Sequence, residues 1–372
     1  MKYCRRCILS DTRPSLKLDA EGICNACRSH ESRPRIDWVE REAAFRRLVE
    51  QTRAKSRGYH CVVPVSGGKD STWQTVKCLE YGLKPLGVTW RPPGRTAIGQ
   101  KNLDNLVALG VDHIDYSISP KVEARFMVKA FERFGSTAIP MHLALFNIPL
   151  TVAARFQVPL VVWGENSAVE YGSADPAHEG HALDRRWLAT YGVTHGTTAA
   201  DWAGEGLSAA DLTAYSGPDP DSLEALGVRA VFLGHYFRWD PAETYAVAKA
   251  HGFRENPGGA RTGLYDFADI DDDFISIHHW MKWYKFGFTR LFDNLSLEIR
   301  NGRLSREQAI DMVRRSGDQT PRADIAKFCA FADLPEARFF EITERFRNPD
   351  VWKRSAGRWV IPDFLISDWS WS

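Results

Sequence analysis

No run of this sequence is apolar over enough residues to cross a bilayer. The most apolar stretch, LFNIPLTVAARFQVPLVVW, is broken by Asn147, Arg155, Gln157 and two prolines, whereas a spanning helix needs about 20 consecutive apolar residues. The opening residues, MKYCRRCILSD, have no apolar core of the kind a secretory leader carries. Charge of one sign is also missing: 48 Lys and Arg face 47 Asp and Glu, so the long-range field of a dedicated nucleic-acid binder is absent. Internal repeats and a low-complexity tail are lacking too, which sets aside solenoids and disordered arrays. What is left is a soluble, cytoplasmic globular protein, whose 372 residues, 44% of them hydrophobic, can bury a substantial core.

Cysteine is scarce except at one place. Of seven cysteines, four fall in the first 27 residues, as Cys4-Arg-Arg-Cys7 and Cys24-Asn-Ala-Cys27. Two CxxC pairs at this spacing match the tight knuckles that present four thiolates to a structural zinc ion, with the shell closed and no open catalytic position. An iron–sulfur cluster and four unliganded thiols are the competing readings. The segment RPRIDWVEREAAFRRLVEQTRAKSRG then places Trp38, Ala43, Phe45, Leu48 and Val49 at helical spacing, a surface helix joining the metal knob to the main domain.

From His60 short apolar runs alternate with amphipathic stretches: HCVVPV, STWQTVKCLEY, KPLGVTW, IGQKNLDNLVAL, VDHIDYSI, then two helical stretches and VPLVVWG. Strand and helix in alternation predict an α/β fold with a doubly wound parallel sheet. The regularity fails after Tyr171, and residues 172–228 read as an insertion over the site, before VRAVFLGHY resumes as a strand. The chain beyond about Asp240 reads as helical, with Ser305-Arg-Glu-Gln308 a capping box. The predicted division is 1–57, a cysteine segment with its linker helix; 58–245, the sheet domain; and 246–372, a helical substrate or partner region.

Between the first strand and the first helix of the sheet domain lies Val65-Ser-Gly-Gly-Lys-Asp-Ser71. Gly67 and Gly68 allow positive φ and close approach to a ligand, Ser66 and Ser71 add hydroxyls, and the helix start directs free N–H groups into the turn. This is an anion-binding nest at the edge where parallel sheets bind ligands. It is neither G-x-x-x-x-G-K-[ST] nor G-x-G-x-x-G. A tight strand-to-helix turn alone needs neither a Ser on each side nor a Lys-Asp pair.

Ser66-Gly-Gly-Lys-Asp-Ser71 resembles the S-G-G-x-D-S signature of the ATP pyrophosphatases, the PP-loop enzymes. The resemblance implies the adenine nucleotide α-hydrolase-like fold, a loop that holds the pyrophosphate part of ATP with Mg2+, and an adenylylated intermediate from which a nitrogen or sulfur nucleophile displaces AMP. The order of the N-terminal cysteine pairs, the PP-loop, Trp163-Gly-Glu-Asn-Ser-Ala-Val-Glu-Tyr-Gly172, YFRWDP at 236–241, HHWMKWYKFGFTR and EIRNGRLSREQAI is similar to that of the N-acetyl sugar amidotransferases of O-antigen, pseudaminic and legionaminic acid biosynthesis. It implies conversion of an N-acetyl group on a nucleotide-linked sugar, a UDP-sugar in the first instance, into an acetamidino group. It also implies ammonia from a separate glutaminase and barrel pair similar to the subunits of imidazole glycerol phosphate synthase. The chain has Lys2, not cysteine, at residue 2, and Cys4 belongs to the CxxC pairs, so it carries no amino-terminal glutaminase cysteine of its own.

The resemblance distributes roles. Val65, Ser66, Gly67, Gly68, Lys69 and Ser71 are expected to hold phosphate, and Asp70 magnesium or the loop itself. Thr89 is expected at adenine or ribose, and Gly164, Glu165 and Asn166, after the strand LVVWG, at substrate or magnesium, with Glu170 as second carboxylate. Glu165 is alternatively a helix N-terminal acid. Lys282, Lys285 and Arg290 are candidates for a diphosphate, or else solvated charges; His235 touches substrate or caps a strand. Asp271-Asp272-Asp273 reads as an N-cap run before FISIHHWMKWY. A tRNA-thiolating enzyme and a non-catalytic zinc-ribbon binding protein are the rival readings; the first lacks a CxxC after the loop, where only Cys78 and Cys329 remain.

Overall fold

In the computed structural model, which describes residues 1–32, 35–166, 170, 193–204 and 206–371, the five apolar runs pair into one parallel sheet. Its strands are β1 (Cys61–Pro64), β2 (Pro85–Trp90), β3 (Asp112–Tyr116), β4 (Leu160–Trp163) and β5 (Arg229–Phe232), in spatial order β3-β2-β1-β4-β5. Val62 is in register with Leu86 on one side and Val161 on the other. The chain winds outward from β1 to β3, then returns to the opposite side of β1. The switch in direction therefore falls between β1 and β4, where a crevice opens beyond the carboxyl ends of the strands.

Both faces of the sheet are buried, as a parallel sheet requires, and the pleat divides the strand residues between two cores. Val62 and Val161 point into a core completed by α5 (Pro120–Phe134) and α6 (Ile139–Arg155). Cys61, Val63, Leu160 and Val162 point into the other, closed by Phe45 and Leu48 of α2 (Trp38–Lys55), Trp73 of α3 (Lys69–Glu80) and Leu103 of α4 (Ala97–Val107). The linker helix α2, preceded by α1 (Asn25–Ser32), is thus part of the sheet domain's core.

The described part of the expected insertion packs on α5 and α6, through Trp202 and Tyr215 against Phe126. It does not cover the crevice, which corrects the expectation for that part; residues 171–192 lie outside the described set. The short α7 (Pro220–Ala225) leads into β5, and α8 (Pro241–Ala250) follows it. Beyond come α9 (Ile275–Phe286), α10 (Arg290–Arg300), α11 (Arg306–Arg315), α12 (Arg322–Ala332) and α13 (Glu336–Arg345), then a hairpin of β6 (Lys353–Ser355) and β7 (Arg358–Val360). The capping box of α11 forms as expected: Ser305 N–H donates to Gln308 Oε1 at 2.8 Å, and Gln308 N–H to Ser305 Oγ at 3.2 Å.

The N-terminal cysteine segment shares its core with the helical C-terminal region: Ile8, Leu9 and Leu16 pack with Phe288, Leu291, Phe292 and Leu295. No helix among the described residues is long and apolar enough to cross a membrane.

Candidate active site

The glycine loop leaves β1 with its sheet pairing extended one residue, Val65 N–H donating to Val88 C=O at 2.9 Å. Thr89 locks the same residue: its hydroxyl donates to Val65 C=O at 2.6 Å and lies 2.8 Å from His113 Nε2. Thr89 is buried, so its side chain is spent on fixing the start of the loop, and any contact with adenine or ribose would fall to its backbone.

Only one of the two loop glycines uses positive φ. Gly67 has φ +86°, and a Cβ there would lie 2.5 Å from the Leu103 nitrogen in α4. Gly68 has φ −67° and serves as the N-cap of α3. Its lack of a Cβ instead leaves space, since Ser66 Oγ, at 3.2 Å, is the one neighbour a Cβ would meet. The close backbone approach at Gly67 is therefore to a helix and not to a ligand, a correction to the reading of the two glycines as equivalent. Gly68 N–H donates to Ser66 Oγ at 3.2 Å and Ser71 Oγ donates to Gly68 C=O at 3.0 Å. The first-turn N–H groups of α3 lack intrahelical acceptors and carry the positive end of the helix dipole.

Lys69 is buried, with Nζ 2.5 Å from Asp70 Oδ2 and 5.4 Å from the centroid of the Trp239 ring. Asp70 Oδ1 accepts from Trp239 Nε1 and from Thr244 Oγ1, each at 3.0 Å. Asp70 thus ties the loop to Trp239 and to Thr244 of α8. Facing it across the crevice is Glu165. Burial first, then the Asp70 carboxylate, push Glu165 up to about 7, although Lys69 opposes the shift. These groups share a cavity of about 220 Å³, whose far wall is Tyr265, Phe267, Asp269, Asp271, Arg290 and Asn294.

Apart from Arg290, that wall was not legible as part of the site. Asp271 stands in the cavity, its carboxyl pushed up by burial and engaged by Ser66, while Asp273 pairs with Arg261 at 2.5 Å and Lys327 at 2.6 Å. Asp272 Oδ1 accepts from Phe274 N–H at 3.1 Å. The N-cap of α9 is Phe274, with no side-chain cap, so the triplet is not a plain capping run. The chain comes to Asp271 through Asp269, which has φ +55°. Despite burial, Arg290 and His279 hold the Asp269 carboxyl well below the usual carboxylate range, with Arg290 Nε at 3.2 Å and His279 Nε2 at 3.4 Å.

The remaining expected residues are distributed unevenly. Arg290 lines the cavity. Lys282 is committed to the buried Asp293 at 2.8 Å, and Lys285 to the Phe134 carbonyl at 2.9 Å, so neither stands in the cavity wall. His235 Nδ1 lies 3.0 Å from Arg41 Nη1, at the sheet end and outside the cavity wall. Gly164 lies against the side-chain amide of Gln74 in α3, which a Cβ there would displace. Asn166 and Glu170 are buried and do not line the cavity, and the Glu170 carbonyl accepts from Arg300 Nη2 at 3.0 Å.

The cysteines converge. All four are buried, their sulfur atoms lie within 4.8 Å of one another, Cys7 and Cys24 being 3.7 Å apart and Cys4 and Cys27 4.0 Å. Tetrahedral thiolates about 2.3 Å from a zinc ion would stand nearly this far apart, so the donor set fits. Among the described residues no other group of His, Cys, Asp and Glu atoms is clustered closely enough for a metal ion. Asp70, Glu165 and Asp271 therefore suit an ion such as magnesium only as it is usually held, by one or two carboxylates together with substrate phosphates.

Residues 262–364 match the family described as "LPS biosynthesis protein WbpG-like, C-terminal domain". Among solved structures, NMN synthetase from Francisella tularensis is similar, at 12% identity and a TM-score of 0.36, over 76% of this chain and 96% of that one. None of the curated proteins compared with the sequence matches it.

Proposed function

We propose that this chain, whose residues 262–364 carry the WbpG-like C-terminal domain of lipopolysaccharide biosynthesis, is an ATP-dependent N-acetyl sugar amidotransferase. The observation that carries the reading is the joining of that domain to the glycine loop: Asp269, Asp271, Arg290 and Asn294 close the cavity that Ser66, Gly68, Lys69 and Ser71 open. An anion-holding turn and a saccharide-pathway domain thus share one site, as expected of a PP-loop enzyme that activates a sugar.

In this reading the amide carbonyl oxygen of a nucleotide-linked acetamido sugar attacks the α-phosphate of ATP, pyrophosphate leaves, and ammonia displaces AMP to give the acetamidino sugar. Magnesium would supply charge neutralisation at the phosphates, held by Asp70 or Glu165 with phosphate oxygens. The N–H groups of the α3 start, Ser66, Ser71 and Lys69 receive the pyrophosphate. Glu165, poised near neutrality, takes a proton from the incoming nitrogen. Asn166, Glu170 and Gly164 support the segment after β4, and Val65 and Thr89 fix the loop. The reaction runs in the cytoplasm, zinc in the cysteine quartet is structural, and the ammonia comes from a glutaminase partner.

The buried cysteines weigh against a thiolating enzyme. Cys61, Cys78 and Cys329 all lie outside the cavity wall, and the neighbouring Cys78 thiol, with burial, pushes the Cys61 thiol well above the usual thiol range. The test is AMP release from magnesium-ATP that requires both ammonium and a UDP-linked acetamido sugar; release elicited by tRNA and not by sugar would favour the rival.

A further inference from the structure

The loop cavity is the first of three chambers in series. Arg290 lines both it and a second chamber of about 270 Å³, which Ser276, His279, Thr289 and Thr320 also line. The second chamber shares Trp280, Thr289 and Thr320 with a third, a groove of about 810 Å³ between α9, the 316–320 loop, the β6–β7 hairpin and the C-terminal residues. The partition between the first two is the Arg290–Asp269–His279 cluster.

Resting on the reading above, we infer that the groove binds the nucleoside diphosphate end of the substrate and that the middle chamber holds its sugar. The groove is lined by six tryptophans, and by five arginines against two aspartates. Flat aromatic faces stack bases, and guanidinium groups pair with phosphate, so this lining suits a ligand with an aromatic ring at one end and a diphosphate beside it. Some of the arginines are structural: Arg347 lies over Tyr284 and Trp352 and pairs with Glu344. Two others are exposed at the rim and hold backbone carbonyls in place of carboxylates, Arg354 that of Gly357 at 2.8 Å and Arg358 that of Trp371 at 3.3 Å.

The middle chamber has a different character. Its wall includes Ser276, Thr289 and Thr320; Ser276 and Thr320 already donate to Asp324 Oδ2 at 2.7 Å and Asp318 Oδ1 at 2.6 Å, which leaves their oxygens to accept from sugar hydroxyls. His279 turns Nε2 to Asp269, which leaves Nδ1 as an acceptor, and that buried atom has no hydrogen-bond partner. A buried acceptor without a donor is costly, but Nδ1 is closed off from the chamber, so the chamber is assigned to the sugar by its place between the groove and the loop cavity.

UDP is the probe. Tryptophan fluorescence and titration calorimetry would follow its binding to wild type, to Arg354→Ala/Arg358→Ala and, as a loop control, to Asp70→Asn, after melting curves show each variant folded; Arg358→Lys serves if the double variant fails to fold. The expected outcome is UDP affinity about tenfold weaker in the rim variant, within twofold of wild type in Asp70→Asn, and no displacement of UDP by saturating ATP. Unchanged affinity in the rim variant, displacement by ATP, or no UDP binding to wild type overturns the groove assignment. Groove failure with sugar-dependent AMP release intact leaves the proposed activity standing. UDP binding at the rim without any AMP release removes the activity and keeps the groove.

Discussion

Trp239 Nε1 donates to Asp70 Oδ1 across 3.0 Å, joining the segment after β5 to the helix that opens from the glycine loop. The same carboxylate faces Lys69 with its other oxygen, so one side chain holds two elements in register with the loop. Asp70→Asn should reduce AMP formation by about 100-fold, because an uncompensated Lys69 and a displaced loop act at the reacting phosphate. Trp239→Phe, which removes one hydrogen bond, should cost only about fivefold. Equal losses in steady-state assays would make Asp70 an anchor alone.

Gly67→Ala and Gly68→Ala should behave differently. The first forces a side chain onto φ +86° and into the α4 backbone, and should lower stability by about 2–3 kcal/mol. The second has ordinary φ and should leave the melting temperature nearly unchanged while weakening ATP binding by about tenfold or more. Thermal melts and ATP titrations on the pair would decide it; a stable Gly67→Ala would contradict the tight loop–α4 contact.

Glu165 sets the pH profile. Its folded value, pushed up by burial and Asp70 to about 7, means that it loses its proton only as pH rises through that value. At constant free ammonia the rate should therefore rise with pH and level off about one unit above pH 7. Glu165→Gln should abolish the step and lower turnover by about 100-fold. A profile of unchanged shape in the variant would remove Glu165 from proton transfer.

Glu123, outside the site, offers a check on the fold. It is buried, accepts from Trp90 Nε1 at 2.7 Å, and burial pushes it up to about 8. The folded chain then binds this proton more tightly than the unfolded one, so its contribution to stability falls as pH rises from about 4.5 toward 8. Glu123→Gln keeps an acceptor for Trp90 and should flatten that decline without loss at pH 7, as denaturant melts across the range would show.

The cysteine quartet should hold one zinc ion per chain by metal analysis. Stripping it, or Cys24→Ser, should lower the melting temperature by about 10 °C or more, because the quartet shares its core with Phe288, Leu291, Phe292 and Leu295. Iron and acid-labile sulfide in place of zinc would point to an iron–sulfur cluster instead.

The sheet could be read from the sequence because parallel strands buried on both faces appear as apolar runs, and β1, β2 and β4 do so without interruption. The glycine loop and the cysteine pairs were legible because their chemistry is contiguous in the chain. Asp271 and Trp239 were not: their roles depend on meeting Ser66 and Asp70, about 170–200 positions away in sequence, and no local spacing encodes such a meeting. Lys282 and Lys285 show the converse. They read as exposed cations on a helix, yet Asp293 and the Phe134 carbonyl had already claimed them. The β6–β7 hairpin escaped notice because three-residue strands are too short to show alternation.

The central claim is met most directly by incubating the protein with magnesium-ATP, ammonium and a UDP-linked diacetamido sugar, and weighing the products. The account predicts AMP and pyrophosphate in step with a sugar product about one mass unit lighter, as exchange of carbonyl oxygen for NH requires. ADP as the nucleotide product, or AMP formed with tRNA while every sugar stays unchanged, would contradict it.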